Sequence, residues 1–224
     1  MHTHDIPVIA IDGPSASGKG TIAQLVANTL GFYYLDSGAL YRLVALKTMQ
    51  TNTNINDINT LANIAKDLDV IFKHDKIFLG DNEVTDAIRT EECGILASNL
   101  ASYPQVREAL TARQRAFCQT PGLVADGRDM GSVIFPNAAL KIFLTASAEI
   151  RAQRRYKQLI GKGINANIAD LLQDIQKRDA RDSNRSTAPL QQGTDAKLLD
   201  TTALSITQAK DTVLAWYAET CTNK

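Results

Sequence analysis

Residues 8–30 read VIAIDGPSASGKGTIAQLVANTL, and few folds can accommodate that order of textures. Val8 to Ile11 is a short apolar run rich in β-branched residues, which suits a strand buried on both faces. From Lys19 onward Ile22, Ala23, Leu25, Val26 and Leu30 recur at helical spacing, and Gly31 ends the run. Between them lies Gly13-Pro14-Ser15-Ala16-Ser17-Gly18, a glycine, four residues and then Gly-Lys. Glycines let the backbone curl so that several N–H groups point at one anion. The helix N-terminus adds roughly half a positive charge, and Lys19 supplies a full charge for the outer phosphates. A strand before the loop and a helix after it are what a phosphate-binding loop requires. Gly13 to Thr21 is therefore expected to bind a nucleotide.

Gly20 departs from the usual pattern, which places a magnesium-binding Ser or Thr directly after the lysine. The hydroxyl comes one place later, at Thr21. Thr21 can face phosphate while magnesium is held largely by phosphates and water. Which hydroxyl meets the metal stays open.

Short apolar runs alternate with helical patterns through the rest of the chain. Strands are expected at 32–35, 123–125, 140–144 and 198–200 beside the first. Helices are expected at 36–49, 104–117, 148–160, 167–180 and 206–217. In the helix from Pro104, Val106, Ala109, Leu110, Ala112 and Phe117 form the expected buried stripe. This alternation implies an α/β, three-layer fold around a five-stranded parallel sheet. Residues 54–100 have a different texture, with a helix at 58–68, a hairpin of 70–73 and 76–79 turning at His74-Asp75, and a helix at 91–102. They are read as a small insert in a single domain spanning 1–224.

Such folds bind ligands beyond the carboxyl ends of their strands, and two further segments fall there. Asp36-Ser37-Gly38 can cap a helix that carries Arg42 one turn in, near a second set of free N–H groups. Asp126-Gly127-Arg128-Asp129 follows the third strand, with Gly127 permitting a tight turn. Later, Arg151, Arg154 and Arg155 share a helix, and 177–185 interleaves acids with Arg178, Arg181 and Arg185. That segment suits a lid over a multiply charged transition state. Phosphoryl transfer asks for positioning and cations more than for covalent help, and an ionised phosphate acceptor needs no general base.

The chain has 224 residues, 24 basic and 24 acidic, and a net charge of zero. Polymeric nucleic acid and anionic membranes are poor partners for such a surface. Cys93, Cys118 and Cys221 lie far apart, so no structural metal site is expected, and a cytoplasmic location is. His2 and His4 read as a frayed tail. No signal peptide or membrane span is legible.

Taken together, GPSASGKGT, LDSGALYR (35–42), IRTEE (88–92), YPQVREAL (103–110), RQRAF (113–117), ADGRDMGSVIFP (125–136), KIFLTAS (141–147) and RDARDSNR (178–185) resemble the bacterial cytidylate kinases. The GKGT ending is shared with nucleoside monophosphate kinases generally, whereas DSGALYR, GRDMG and RDxxDxxR together are far more specific. The resemblance runs from about Val8 to the last helix. It implies transfer of a phosphoryl group from ATP, with Mg2+, to CMP or dCMP, by a monomer. It assigns ATP to Gly13–Thr21 and the acceptor phosphate to Ser37, Arg42, Arg128 and Arg185. Cytosine falls to Ser98, Arg107 and Asp129, and the sugar to Asp182 with Arg178 nearby. Arg154 and Arg178 are lid candidates for the transferring group, in a lid of about 154–186 without the cysteine cluster of a zinc-bearing lid. Residues 54–100 match the family's monophosphate-binding insert. Cytosine presents an N4 donor beside an N3 acceptor, so an acceptor at Asp129 and a donor at Arg107 are complementary to it. The competing readings are a UMP, AMP or shikimate kinase and a nucleotide switch without turnover. The chain lacks Asn-Lys-x-Asp and a usable Asp-x-x-Gly, which a GTPase switch would carry.

Overall fold

The structure, a computed structural model, describes residues 6–73, 76–185 and 187–222. The expected tail histidines and the His74-Asp75 turn lie outside the described residues. In chain order the elements are β1 (Val8–Asp12), α1 (Lys19–Leu30), β2 (Tyr33–Asp36), α2 (Ser37–Gln50), α3 (Ile58–Lys66), β3 (Val70–Lys73), β4 (Lys76–Leu79), β5 (Asn82–Glu83), α4 (Glu91–Leu100) and α5 (Pro104–Ala116). They continue with β6 (Leu123–Gly127), β7 (Leu140–Thr145), α6 (Ala148–Ile160), α7 (Ile168–Asn184), β8 (Lys197–Asp200) and α8 (Ile206–Thr222). Two compact units result, Met1–Leu35 with Phe117–Lys224, and Asp36–Ala116.

The first unit is built on a five-stranded parallel sheet of order β2-β6-β1-β7-β8. β1 is central and wholly buried, as expected of an apolar strand with neighbours on both sides. Its register pairs Asp12 with Gly127 of β6 and with Phe143 of β7, so β1 and β6 end level while β7 runs on to Thr145. Ile9, Ile11, Val124, Ile142 and Leu144 meet Val26 of α1 and Val213 of α8 in one core. α1 packs on α8, and α6 on α7. Gly31 ends α1 in the left-handed conformation at φ 67°, its N–H donating to the Ala27 carbonyl.

In the second unit α2 packs against α3 and α4, and α3 against α5. β3 and β4 form the expected antiparallel hairpin, to which β5 adds a third strand of two residues. So short a strand has no period to read.

Three further expectations are corrected. α5 buries Val106, Arg107, Leu110 and Gln114, while Ala112 is exposed and Ala109 and Phe117 are half-buried. Counting only apolar residues misplaced that face, because two polar side chains share it. α7 runs on to Asn184 rather than ending near 180, so the charged residues 181–184 are helical as well. Gly127 closes β6 rather than making a turn. The chain reverses beyond it through one π-helical turn, Met130–Ile134.

Candidate active site

The loop after β1 has the geometry that its composition calls for. Gly13 is buried and lies on β7, where an added Cβ would overlap the Leu144 carbonyl oxygen. Gly18 precedes α1 at φ 92°, and Ala16 takes φ 56°. A left-handed non-glycine residue is strained backbone, which collects at ligand-binding loops. The Ser15 and Ser17 hydroxyls are buried without a partner. Such groups are costly unless a ligand satisfies them. Lys19 folds back, its Nζ donating to the Pro14 carbonyl at 3.2 Å. Pro14 is buried, Gly20 is half-buried and Thr21 is exposed.

Gly20 has a steric explanation. Tyr34 donates its phenolic proton to Asp126 Oδ2 at 2.6 Å. A Cβ on residue 20 would lie 3.3 Å from that oxygen and 3.4 Å from the Tyr34 hydroxyl. The pair fills the space that a Ser or Thr would need. Asp126 is itself buried at the end of β6, and the sequence reading passed over it and Tyr34, which are 92 residues apart. Thr21 and Asp126 are hard oxygen donors of the kind magnesium prefers. With the unspent serine hydroxyls they fit a magnesium nucleotide. Among the described residues no three His, Cys, Asp or Glu side chains form a metal-holding group.

Arg154 and Arg151 brace the loop from α6. Arg154 donates through Nη1 to the Ser17 carbonyl at 2.8 Å and through Nη2 to the Thr201 carbonyl at 2.7 Å. Burial lowers its guanidinium pKa. Arg151 donates to the Ser15 carbonyl at 3.2 Å and to both Asp179 oxygens, at 3.0 and 2.5 Å. The bidentate pair joins α6 to α7.

Beyond β6, Arg128 donates Nε to Asp182 Oδ2 at 2.8 Å. Burial alone would raise the Asp182 carboxyl, but Arg128, aided by Arg178 and Arg185, outweighs it and holds the group below its usual range. Asp129 is buried beside them in sequence, and its carbonyl accepts the Val133 and Ile134 N–H groups. Arg178 and Arg185 are half-buried. Arg185 donates Nε to the Ala188 carbonyl at 2.6 Å. Asp12, which sequence reasoning also missed, accepts the Met130 and Gly131 N–H groups at 2.8 and 2.9 Å. Burial pushes its carboxyl pKa up to about 6, against the two hydrogen bonds that lower it.

In the second unit Asp36 caps α2 by accepting the Ala39 N–H, and Ser37 is buried at the first helical position. Arg42 lies one turn into α2. Its Nη1 donates to the Ile88 and Thr90 carbonyls, at 2.7 and 3.1 Å. Gly94 makes room for it, since a Cβ there would approach Nη2 to 2.6 Å. Arg107 is buried on α5, with Nη1 donating to the Ala101 carbonyl at 3.3 Å. The Ser98 hydroxyl and both amide atoms of Gln114 are buried without a partner. Gln114 gave no signal in the sequence beyond its place in RQRAF.

These features meet in one family. The family model described as "Cytidylate kinase" matches residues 9–219. The chain belongs to the cytidylate kinase family. It is 63% identical over 212 residues to the cytidylate kinase of Polynucleobacter asymbioticus, covering 95% of this chain and 96% of that one. It is 59% identical over 219 residues to the cytidylate kinase of Nitrosomonas europaea, covering 98% of each. Against that of Burkholderia multivorans the identity is 59% over 214 residues, covering 96% of this chain and 94% of the relative. As a cytidylate kinase it is a nucleoside monophosphate kinase, with CMP as the acceptor that membership of the family supports. Among the described residues no helix is long and apolar enough to cross a membrane.

Proposed function

We propose that the protein transfers the γ-phosphoryl group of ATP, bound with magnesium, to CMP or dCMP, releasing ADP and CDP or dCDP. One observation carries most of this reading. β1 and β6 are parallel neighbours with Asp12 opposite Gly127, so the phosphate loop and the Arg128-Asp129 turn leave adjacent strands at the same level. Donor and acceptor groups so arranged suit in-line transfer.

In this reading Gly13, Pro14, Ser15, Ala16, Ser17, Gly18, Lys19, Gly20 and Thr21 bind the ATP phosphates, with Lys19 on the outer ones. The buried hydroxyls of Ser15 and Ser17 support a ligand there. Magnesium, when bound, neutralises phosphate charge, and Thr21 and Asp126 are the groups that would hold it, directly or through water. Arg128, Arg154 and Arg178 meet the charge on the moving phosphoryl group, where a single arginine can contribute about 10³–10⁵ in rate. Ser37, Arg42, Arg128 and Arg185 hold the CMP phosphate, Ser98, Arg107 and Asp129 read cytosine, and Asp182 with Arg178 takes the sugar. The unspent hydroxyl of Ser98 and the depressed carboxyl of Asp182 are what such roles need. Residues 54–100 are the acceptor-binding insert and 154–186 the lid, in a protein working as a monomer. The thiols of Cys93, Cys118 and Cys221 are free, which suits the cytoplasm.

The test is ADP release from Mg-ATP with CMP, dCMP, UMP, AMP and shikimate offered separately. CMP and dCMP are expected to turn over well ahead of the others. UMP as the best acceptor would overturn the base assignment, and ADP release with none of them would overturn the reading.

A further inference from the structure

Asp12 is the last residue of β1 and stands immediately before the phosphate loop. Its carboxylate is hydrogen-bonded outside the loop. Oδ1 accepts the Met130 N–H and Oδ2 the Gly131 N–H, so both oxygens go to two successive amides more than 100 residues later in the chain. These are charge-assisted hydrogen bonds in a buried setting, and they fix orientation as well as position. The turn they hold lies flush on the sheet. A Cβ on Gly131 would come within 3.2 Å of Lys141 Cγ and 3.5 Å of Ala10 Cβ. Inside the turn, Val133 and Ile134 donate to the Asp129 carbonyl and Phe135 to that of Met130. Arg128 and Asp129 are thus carried by a turn whose anchor is Asp12. An asparagine of the same size has an NH2 in place of one of the two accepting oxygens and would set a donor against one of the amides. The carboxylate is kept although burial disfavours its charge, as its raised pKa of about 6 records.

We propose that Asp12 is a positioning residue for the acceptor nucleotide: its carboxylate fixes the Arg128-Asp129 turn and locks it in register with the ATP loop. This rests on the reading that Arg128 and Asp129 bind CMP. Asp12→Asn keeps the volume but turns an NH2 group toward one of the two amides. The KM for CMP is expected to rise at least tenfold while the KM for ATP stays within about twofold. A merely structural role would move both together or neither, and either result overturns the proposal. Asp129→Ala, measured in parallel, separates the two layers of the argument. If it raises the KM for CMP and Asp12→Asn does not, the positioning role alone is wrong. If neither variant raises it, the CMP reading of the turn fails as well. Should Asp12→Asn not fold, amide hydrogen exchange in the unaltered protein decides. The Met130 and Gly131 amides are expected to exchange at least tenfold more slowly with CMP bound than with ATP alone, and equal rates overturn the proposal.

Discussion

Asp12 carries two opposed demands. The turn at Met130 and Gly131 wants a carboxylate, while burial wants a neutral acid. Its folded pKa of about 6 lies above the ordinary 3.8, so the fold favours the protonated form. The stability that follows is fully present below pH 3.8 and is lost as the pH rises through about 6, which amounts to ~3 kcal/mol. Urea unfolding at pH 4 and pH 7 checks this. The unaltered protein is expected to lose about 2 kcal/mol relative to Asp12→Asn over that interval, and a constant difference between the two would contradict it. Little of this is legible in the sequence. The loop GPSASGKGT announces itself because its meaning is local: curling glycines, a lysine and a helix start. Asp12 with Met130, and Tyr34 with Asp126, acquire meaning only when the sheet brings distant strand ends together. The oddity at Gly20 was visible, but its cause was not.

At the scale of elements, α7 is where the sequence misled most usefully. The interleaved charges of 177–185 suggest a lid, and with no apolar face to read the helix is expected to end near 180. They are helical to Asn184 because inward positions are filled by charge rather than hydrocarbon: Asp179 takes the buried Arg151 in a bidentate pair, and Asp182 takes Arg128. Buried pairs of this kind hold geometry more reliably than they add stability. α5 repeats the lesson, with Arg107 and Gln114 on its buried face. Such a helix can present Arg178 at a fixed place on a rigid support. Arg178→Ala is expected to lower kcat about 10²-fold or more while weakening CMP binding by less than about tenfold. Single-turnover kinetics with a separate CMP binding isotherm would show this, and an unchanged kcat would remove Arg178 from the catalytic set.

Over the whole molecule, the apolar strands and their alternation with helices made the five-stranded parallel sheet legible in advance, because buried parallel strands have a texture that few other elements share. The motifs DSGALYR, GRDMG and RDxxDxxR made the family legible, and the match over residues 9–219 bears that out. Less legible was how each unit spends its polar groups. Arg42 is drawn to the Ile88 and Thr90 carbonyls, and Ser98 and Gln114 keep buried atoms without partners. No periodicity encodes either outcome. The central claim is that hydrogen-bonding groups on this chain choose cytosine over uracil, with Asp129 as acceptor and Arg107 as donor. A site built that way rejects the wrong base because its own polar groups would be left unpaired. The most direct measurement is the ratio of kcat/KM for CMP to that for UMP, in the unaltered protein and in Asp129→Ala. The account predicts a ratio well above ten that falls at least tenfold in the variant. A ratio that the substitution leaves unchanged would contradict it.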